Sequence, residues 1–397
     1  MLRQTRERGV FALSSRSAVV VIANDPARTG LRRPLQLQLV MGTPLLRWLT
    51  HALAQRGVER WLLVCQERWL SEAKHCFPAG ARLTACADRE AGNPLHVFLS
   101  SAGEDEREVL VITGPCACLP DDGIEPCDCA CCVDPAALMT ALDEPDFSIT
   151  HFLQTRGSGC GQLRGVQAVR DAGELIDLSD RMRRATLRGL ADRGVQIWDP
   201  DHCHVDPGVS IGAGSVLMPG AILRGDTRVG NDCVIGPDAL LENAELGSGC
   251  RINASQLSDC RLGSDCAVGP YACIRSGSRL GARVRVGANT ELCAADLGEA
   301  ARVGAQCVLR ELTCGRGCTF GPGVICAAAA PEGSGPVTLG DDCAVGGGVT
   351  FAGPVDVGRC AAVSAGSVVT ANVPAQALAG ARARQTVRRD WALHKKT

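Results

Sequence analysis

From Val205 onward the chain places an aliphatic side chain at every sixth position. Val205, Ile211, Leu217, Leu223, Val229, Ile235 and Leu241 keep strict step, many with glycine, Asn or Asp beside them. The step shortens to five at Leu246, Leu257, Leu262, Leu297 and Cys314, recovers each time, and resumes as Leu339, Val345, Phe351, Val357, Val363 and Val369. A six-residue period predicts a β-helical solenoid: each repeat makes one flat face, three faces make a coil, and the aliphatic side chain points into a narrow interior. Glycine, Asn and Asp suit the corners, where the backbone often turns through positive φ. At about eighteen residues per coil, roughly nine coils fit between residues 205 and 369.

Upstream of the solenoid the period changes. Residues 18–22, 61–64 and 109–112 are short apolar runs that predict strands, and residues 44–55 have helical spacing. Strands alternating with helices predict a parallel sheet with helices on both faces. The segment LIDLSDRMRRATLRGLADR, residues 175–193, reads as an amphipathic helix with a basic face. The expected division is therefore an α/β domain over 1–174, a connecting helix over 175–196, the solenoid over 197–372 and a basic tail over 373–397.

A length of 397 residues leaves room for two domains, and an aromatic content of 3% suits a thin interior that admits few rings. The formal net charge of -2 gives no electrostatic case for nucleic acid or for a membrane surface. No apolar run approaches the roughly 18 residues of a membrane span, and the first segment has too short an apolar run for a signal peptide. The expected location is the cytoplasm, where the 23 cysteines would be thiols rather than disulfides. Six of them, Cys233, Cys250, Cys266, Cys307, Cys318 and Cys343, fall four residues after a lead aliphatic or its Cys314 substitute. That slot elsewhere holds Ala, Val, Ser or Thr, so a buried thiol acting as a small hydrophobe accounts for them.

A second group is different. Cys116, Cys118, Cys127, Cys129, Cys131 and Cys132 crowd the stretch GPCACLPDDGIEPCDCACCVDP directly after the strand at 109–112. C-x-C and C-C spacings bring several thiolates within reach of one soft ion, zinc or copper, and Cys160 could join them. The alternative is a loop with incidental cysteines, since the spacing is not that of a zinc finger or ribbon. His202, Cys203 and His204 form a smaller candidate, in which strand alternation sets both imidazoles on one face and the thiol on the other.

Three segments carry a family resemblance: GVQIWDP at the solenoid entrance, VGPYACIRSGSRL in its middle, and VSAGSVVTANVPAQALAGARARQ followed by Trp391 at its end. With the two-part architecture, they resemble the bacterial bifunctional N-acetylglucosamine-1-phosphate uridyltransferase and glucosamine-1-phosphate acetyltransferase. The resemblance implies a nucleotidyltransferase-like, Rossmann-like α/β N-terminal domain and an all-β left-handed parallel β-helix that assembles as a homotrimer. It also implies UTP and magnesium chemistry in the first domain and acetyl-CoA chemistry in the second.

Both sets of reacting groups depart from the family pattern. The glycine-rich loop that should approach phosphates is IANDPARTGLRRPL, with Asn24, Asp25 and Pro26 where small residues are wanted. The family's lysine position is Leu35, its magnesium aspartate position is Pro115, and a block of about fifty residues is missing between Gly173 and Asp177 when set against usual domain lengths. Magnesium wants hard oxygen ligands, so neither magnesium binding nor uridyl transfer is expected. In the solenoid, Arg275 matches the phosphate-gripping arginine. The partner lysine position is Cys293, the histidine position Ala305, the tyrosine position Val308 and an asparagine position Thr319, while an asparagine-tyrosine pair falls on Ala328 and Ala329. Without the histidine no general base is evident, and Glu311 and Cys314 are out of register. Gly347, Gly348, Ala365 and Arg382 match positions that line acetyl-CoA or another acyl-CoA and meet its phosphate. Three function classes follow: a non-catalytic trimeric scaffold or regulatory pseudoenzyme with a protein partner, an acyl-CoA-dependent acyltransferase with relocated groups, and a thiolate metal-binding protein.

Overall fold

The computed structural model describes residues 15–22, 31–101, 107–118, 129–142, 161–162, 166–326 and 336–382. The chain divides into two units, Met1–Met182 and Arg183–Thr397.

In the first unit the strand Ser17–Ile22 is central, with Arg60–Cys65 parallel on one side and Val109–Ile112 parallel on the other. Arg82–Ala87 extends the parallel part, while Ala130–Val133 and Gly161–Gln162 complete the sheet in antiparallel pairing. The sheet is therefore mixed rather than wholly parallel as the alternation predicts, because an antiparallel return needs no crossover helix. Its middle strands are apolar at consecutive positions because both faces are covered. Val20, Trp61, Leu63 and Leu110 pack on one side with Leu46, Leu49 and Leu53 of the helix Leu45–Gln55, an i, i+3, i+7 stripe. Val19, Leu62, Val109 and Val111 pack on the other with Leu95, Phe98, Leu99 and Leu138.

The helix Ala172–Ala191 starts three residues before the sequence-based estimate. The reason is its cap: Asp171 Oδ1 accepts the Glu174 N–H at 2.8 Å, and Glu174 reaches back to accept the Arg170 N–H at 2.7 Å. This reciprocal pairing satisfies donors that a helix start leaves open. At its far end Leu187 and Leu190 belong to the solenoid core, and the buried Arg183 guanidinium donates to the Pro200 carbonyl.

The solenoid is three parallel sheets of 11, 10 and 9 strands. The first starts at Gln196–Ile197 and ends at Leu378–Ala379, the second runs from His204–Val205 to Val368–Val369, and the third from Ser210–Ile211 to Val355–Val357. Every lead aliphatic of the period is buried, including the five-step residues Leu246, Leu257, Leu262, Leu297 and Cys314. The six periodic cysteines are buried as well, Cys233, Cys250 and Cys266 on successive coils of one corner. Their thiols donate to corner carbonyls, Cys250 to Gly263 at 3.2 Å and Cys266 to Gly281 at 3.1 Å, so the small polar atom is satisfied where it is buried.

The outward positions give each sheet a character. The 10-stranded face carries Ile222, Leu240, Val308, Ile325 and Val368 among polar and charged positions such as Arg224, Glu242, Gln256, Arg275, Glu291 and Arg310, and is called the aliphatic face for the first group. The 9-stranded face carries Arg228, Glu245, Arg261, Arg279 and Asp296 and is charged. The 11-stranded face presents Arg251, Arg285 and Arg302 among small residues and is basic. Among the described residues no helix is long and apolar enough to cross a membrane.

Candidate functional site

On the aliphatic face three strands stack with their last residues in register: Arg275 opposite Cys293, and Cys293 opposite Arg310. Glu291, two residues before Cys293, lies between the two guanidiniums. Its Oε1 accepts from Arg275 Nη2 at 3.3 Å and from Arg310 Nη2 at 2.9 Å. Both arginines are about half exposed and Glu291 is more covered. Surface pairs of this kind contribute about 0–1 kcal/mol to stability, so the arrangement matters more for position than for folding. Two cations sharing one carboxylate leave a local charge of one positive unit, held in place and open to solvent. That suits a phosphate or carboxylate, which guanidinium forks bind in pairs of hydrogen bonds.

Arg275 is the residue sequence comparison singles out, whereas Glu291 and Arg310 are not found that way. The signal available for them is coil length: residues one coil apart lie side by side, so Arg310 follows Cys293 just as Cys293 follows Arg275. Cys293 is half-buried between the arginines. Ala305 stands at the preceding corner, where its carbonyl accepts the Gly323 N–H at 2.9 Å. Val308 points outward on the aliphatic face and Thr319 on the basic face. Glu311 is exposed with φ 50, and its N–H donates to the Cys293 carbonyl. Cys314 faces the interior, where a hydrogen bond with Cys318, and then burial, push its thiol up. The solenoid's histidines, His202 and His204, lie on the first coil, and Ala328 and Ala329 lie outside the described residues.

A second group lies farther along the solenoid. Gly348 N–H donates to the Pro322 carbonyl at 2.8 Å and Gly366 N–H to the Gly347 carbonyl at 2.9 Å, which stacks Gly347, Gly348 and Ala365 on one corner. Val368 N–H donates to the Ala381 carbonyl, so exposed Arg382 follows directly on the last rung of the aliphatic face. Arg275 sits five strands below Val368 in that sheet, about 24 Å at roughly 4.8 Å per strand.

The pleat separates Cys131 from the other described cysteines of the cluster. Cys131 and Cys132 are consecutive on Ala130–Val133 and face opposite sides of the sheet, Cys132 with the core layer of Leu110 and Cys131 with that of Val111. Cys116, Cys118 and Cys129 pack with the Cys132 layer, and Cys129 lies against Gly114 so closely that a Cβ there would meet its Sγ at 2.6 Å. Among the described residues no three His, Cys, Asp or Glu side chains are placed to hold a metal ion. Cys127 and Cys160 lie outside the described residues, and zinc or copper gains no support from the rest. At the other cluster Cys203 is buried, His202 and His204 are exposed, and His202 Nδ1 is 2.7 Å from Asp199 Oδ2. In the first unit Leu35 is buried, and Pro115 offers only its carbonyl, to the Val169 N–H at 2.8 Å. Neither Leu35 nor Pro115 brings a side-chain oxygen to this position, and Asn24, Asp25 and Pro26 lie outside the described residues.

Comparison with known proteins adds context to this geometry. Residues 208–243 match the family model described as bacterial transferase hexapeptide (six repeats). The chain is 30% identical over 265 residues to the bifunctional protein GlmU of Synechococcus elongatus, covering 64% of this chain and 57% of that protein. It is 37% identical over 224 residues to bifunctional protein GlmU of Brevibacillus brevis, covering 56% and 49%. It is 32% identical over 244 residues to that of Acetivibrio thermocellus, covering 59% and 53%. The chain thus spans about half the length of the curated relatives it matches. Among solved structures, LpxA of Bacteroides fragilis, a UDP-N-acetylglucosamine acyltransferase, is similar at 17% identity, with a TM-score of 0.32 over 45% of this chain and 69% of that one. The resemblance to the bifunctional GlmU proteins stands on the sequence matches.

Proposed function

We propose that this chain is a non-catalytic relative of the bifunctional sugar-nucleotide enzymes, a trimeric solenoid that binds a phosphorylated ligand and turns over neither reaction. One observation carries the reading: Arg275, Glu291 and Arg310 form an anion clamp in which the carboxylate of Glu291 is engaged by both guanidiniums, while Ala305, Val308 and Thr319 hold no group that could take a proton from an attacking amine. Binding without a base is what a scaffold or regulatory partner requires. The test is a paired measurement with glucosamine-1-phosphate and acetyl-CoA. Calorimetry is expected to detect glucosamine-1-phosphate, and Arg275→Ala to weaken it by about tenfold or more, as loss of a charge-assisted hydrogen bond would. Release of CoA is expected to stay at the level of heat-inactivated protein. Turnover above that level would overturn the proposal.

A second reading is favoured by the stack of Gly347, Gly348 and Ala365 beside Arg382. In it the chain remains an acyl-CoA-dependent acyltransferase with relocated groups, and the small residues of that corner admit the pantetheine arm. Under this reading Arg382→Ala weakens acetyl-CoA binding by about 1.5–3 kcal/mol, and the CoA-release assay is positive.

A further inference from the structure

Beyond the clamp, the charged face has a cleft of its own. It occupies about 480 Å³ where that face meets the corner leading from the aliphatic face, within the range of about 300–1,000 Å³ common for small-molecule sites. Its two edges differ in chemistry. On the face side, Arg228, Glu245, Arg261 and Arg279 stand on successive coils in register. Glu245 is taken by Arg261, Nε to Oε2 at 3.1 Å. Arg228 and Arg279 make no ion pair among the described residues. Arg261 and Arg279 are adjacent across about 4.8 Å of sheet, a like-charge pairing flanked by carboxylates, with Glu245 beside Arg261 and Asp296 in register with Arg279.

The corner side carries acceptors. Asn243 Oδ1 accepts the Asp226 N–H at 3.1 Å, and Asn243 Nδ2 donates to Asp259 Oδ1 at 3.2 Å. This ladder uses up the amide and one oxygen of Asp259, and leaves the Asp226 carboxylate and Asp259 Oδ2 without a partner among the described residues. On the next coil the ladder stops at Gly277, with φ +74 and no atom within 4 Å of where a Cβ would stand. The cleft opens there. Ser278, on its floor, is engaged in structure, donating to the Arg275 carbonyl at 2.7 Å.

Three arginines and three carboxylates line the cleft, so it has no net charge to attract a bare anion. The charges are instead unevenly divided: the face edge holds three guanidiniums and the single carboxylate of Glu245, and the corner edge holds only the oxygen acceptors of Asp226, Asn243 and Asp259. We infer that the cleft is a binding site for a small phosphorylated polyol, with the phosphate against Arg261 and Arg279 and the hydroxyl groups donating to Asp226 and Asp259. The inference stands apart from the clamp on the aliphatic face, and its test is arranged so that the two fail separately.

The test is calorimetry on the full chain carrying Arg275→Gln, which silences the clamp, with sorbitol 6-phosphate, sorbitol and inorganic phosphate as probes. Sorbitol 6-phosphate is expected to bind at least about tenfold more tightly than either fragment, and Arg279→Gln to remove about tenfold or more, as expected for a charge-assisted contact. Arg302→Gln, an exposed arginine on the basic face, is expected to leave binding within about twofold, since long-range charge effects are screened. Arg261→Gln, with the same expected loss, serves as the second variant should Arg279→Gln fold poorly by circular dichroism. Inorganic phosphate binding as tightly as sorbitol 6-phosphate, or equal losses from Arg279→Gln and Arg302→Gln, would overturn the inference, as would no binding at millimolar probe.

Discussion

Asp206 illustrates how one half-buried side chain sets a pH dependence in the solenoid. Its Oδ2 accepts the Gly225 N–H at 3.1 Å, yet burial, the largest influence, raises its carboxyl above the ordinary 3.8. A raised carboxyl value means that the fold favours the protonated form, so ionisation costs stability. That cost is absent below the unfolded value and grows as pH rises through the folded one. Asp206→Asn keeps an oxygen for Gly225 and removes the ionisation. The variant is expected to melt at a higher temperature than the parent at pH 7, with the gap closing toward pH 3. A gap of the same size at both pH values would show that charge burial is not the cause. The same scale explains the cysteines: a thiol on a tight corner behaves as a small apolar group with one weak donor, and the corner carbonyls receive it.

At the scale of the coil, several glycines of the period are demanded by neighbouring backbone. A Cβ on Gly346 would meet Ala365 N at 2.4 Å and Ala365 Cα at 2.7 Å. Those atoms belong to the next coil and cannot rotate away. Gly346→Ala must therefore push two coils apart beside Gly347, Gly348 and Ala365, at a cost of about 1–3 kcal/mol, the usual range for overpacking. Denaturant unfolding measures the loss, and hydrogen exchange is expected to place faster opening in the last coils, near Val363 and Val368. Uniform loosening of the whole solenoid would contradict a local clash. Solenoid coils touch only their neighbours, so a defect at one end stays there.

At the scale of the whole molecule the three faces are unequal. Ile325 and Val368 are 42% and 52% exposed on the aliphatic face, in line with the outward Ile222, Leu240 and Val308. Such a row in a single chain gains about 25 cal/mol for each Å² that a partner covers, whereas the charged face would lose solvation. The proposed trimer accordingly joins copies through the aliphatic positions of that face and leaves the Arg275, Glu291 and Arg310 clamp open. Light scattering at micromolar concentration is expected to give the mass of three 41.5 kDa chains, and Ile325→Arg to shift it toward one. A monomeric parent protein would defeat the proposal.

Periodicity made the solenoid legible without any structure, because a six-residue step in apolar side chains has one economical explanation and each lead residue from Val205 to Val369 points inward as that explanation requires. The core strands of the first unit were legible for the same reason, since residues buried on both faces must be apolar at consecutive positions. Arg275 was legible through resemblance. Its companions were not: Glu291 and Arg310 are distant in sequence and meet only because coils stack, and the cleft joins residues from four successive coils, 226 to 279, that no local pattern links. The cysteine run shows the converse. Spacing alone brings Cys131 and Cys132 together, while the pleat of Ala130–Val133 turns them to opposite faces. Sequence by itself determined which side chains are buried, a property of each residue and its period; tertiary structure decided which polar groups converge, because that depends on register between strands and on the direction each side chain leaves its sheet.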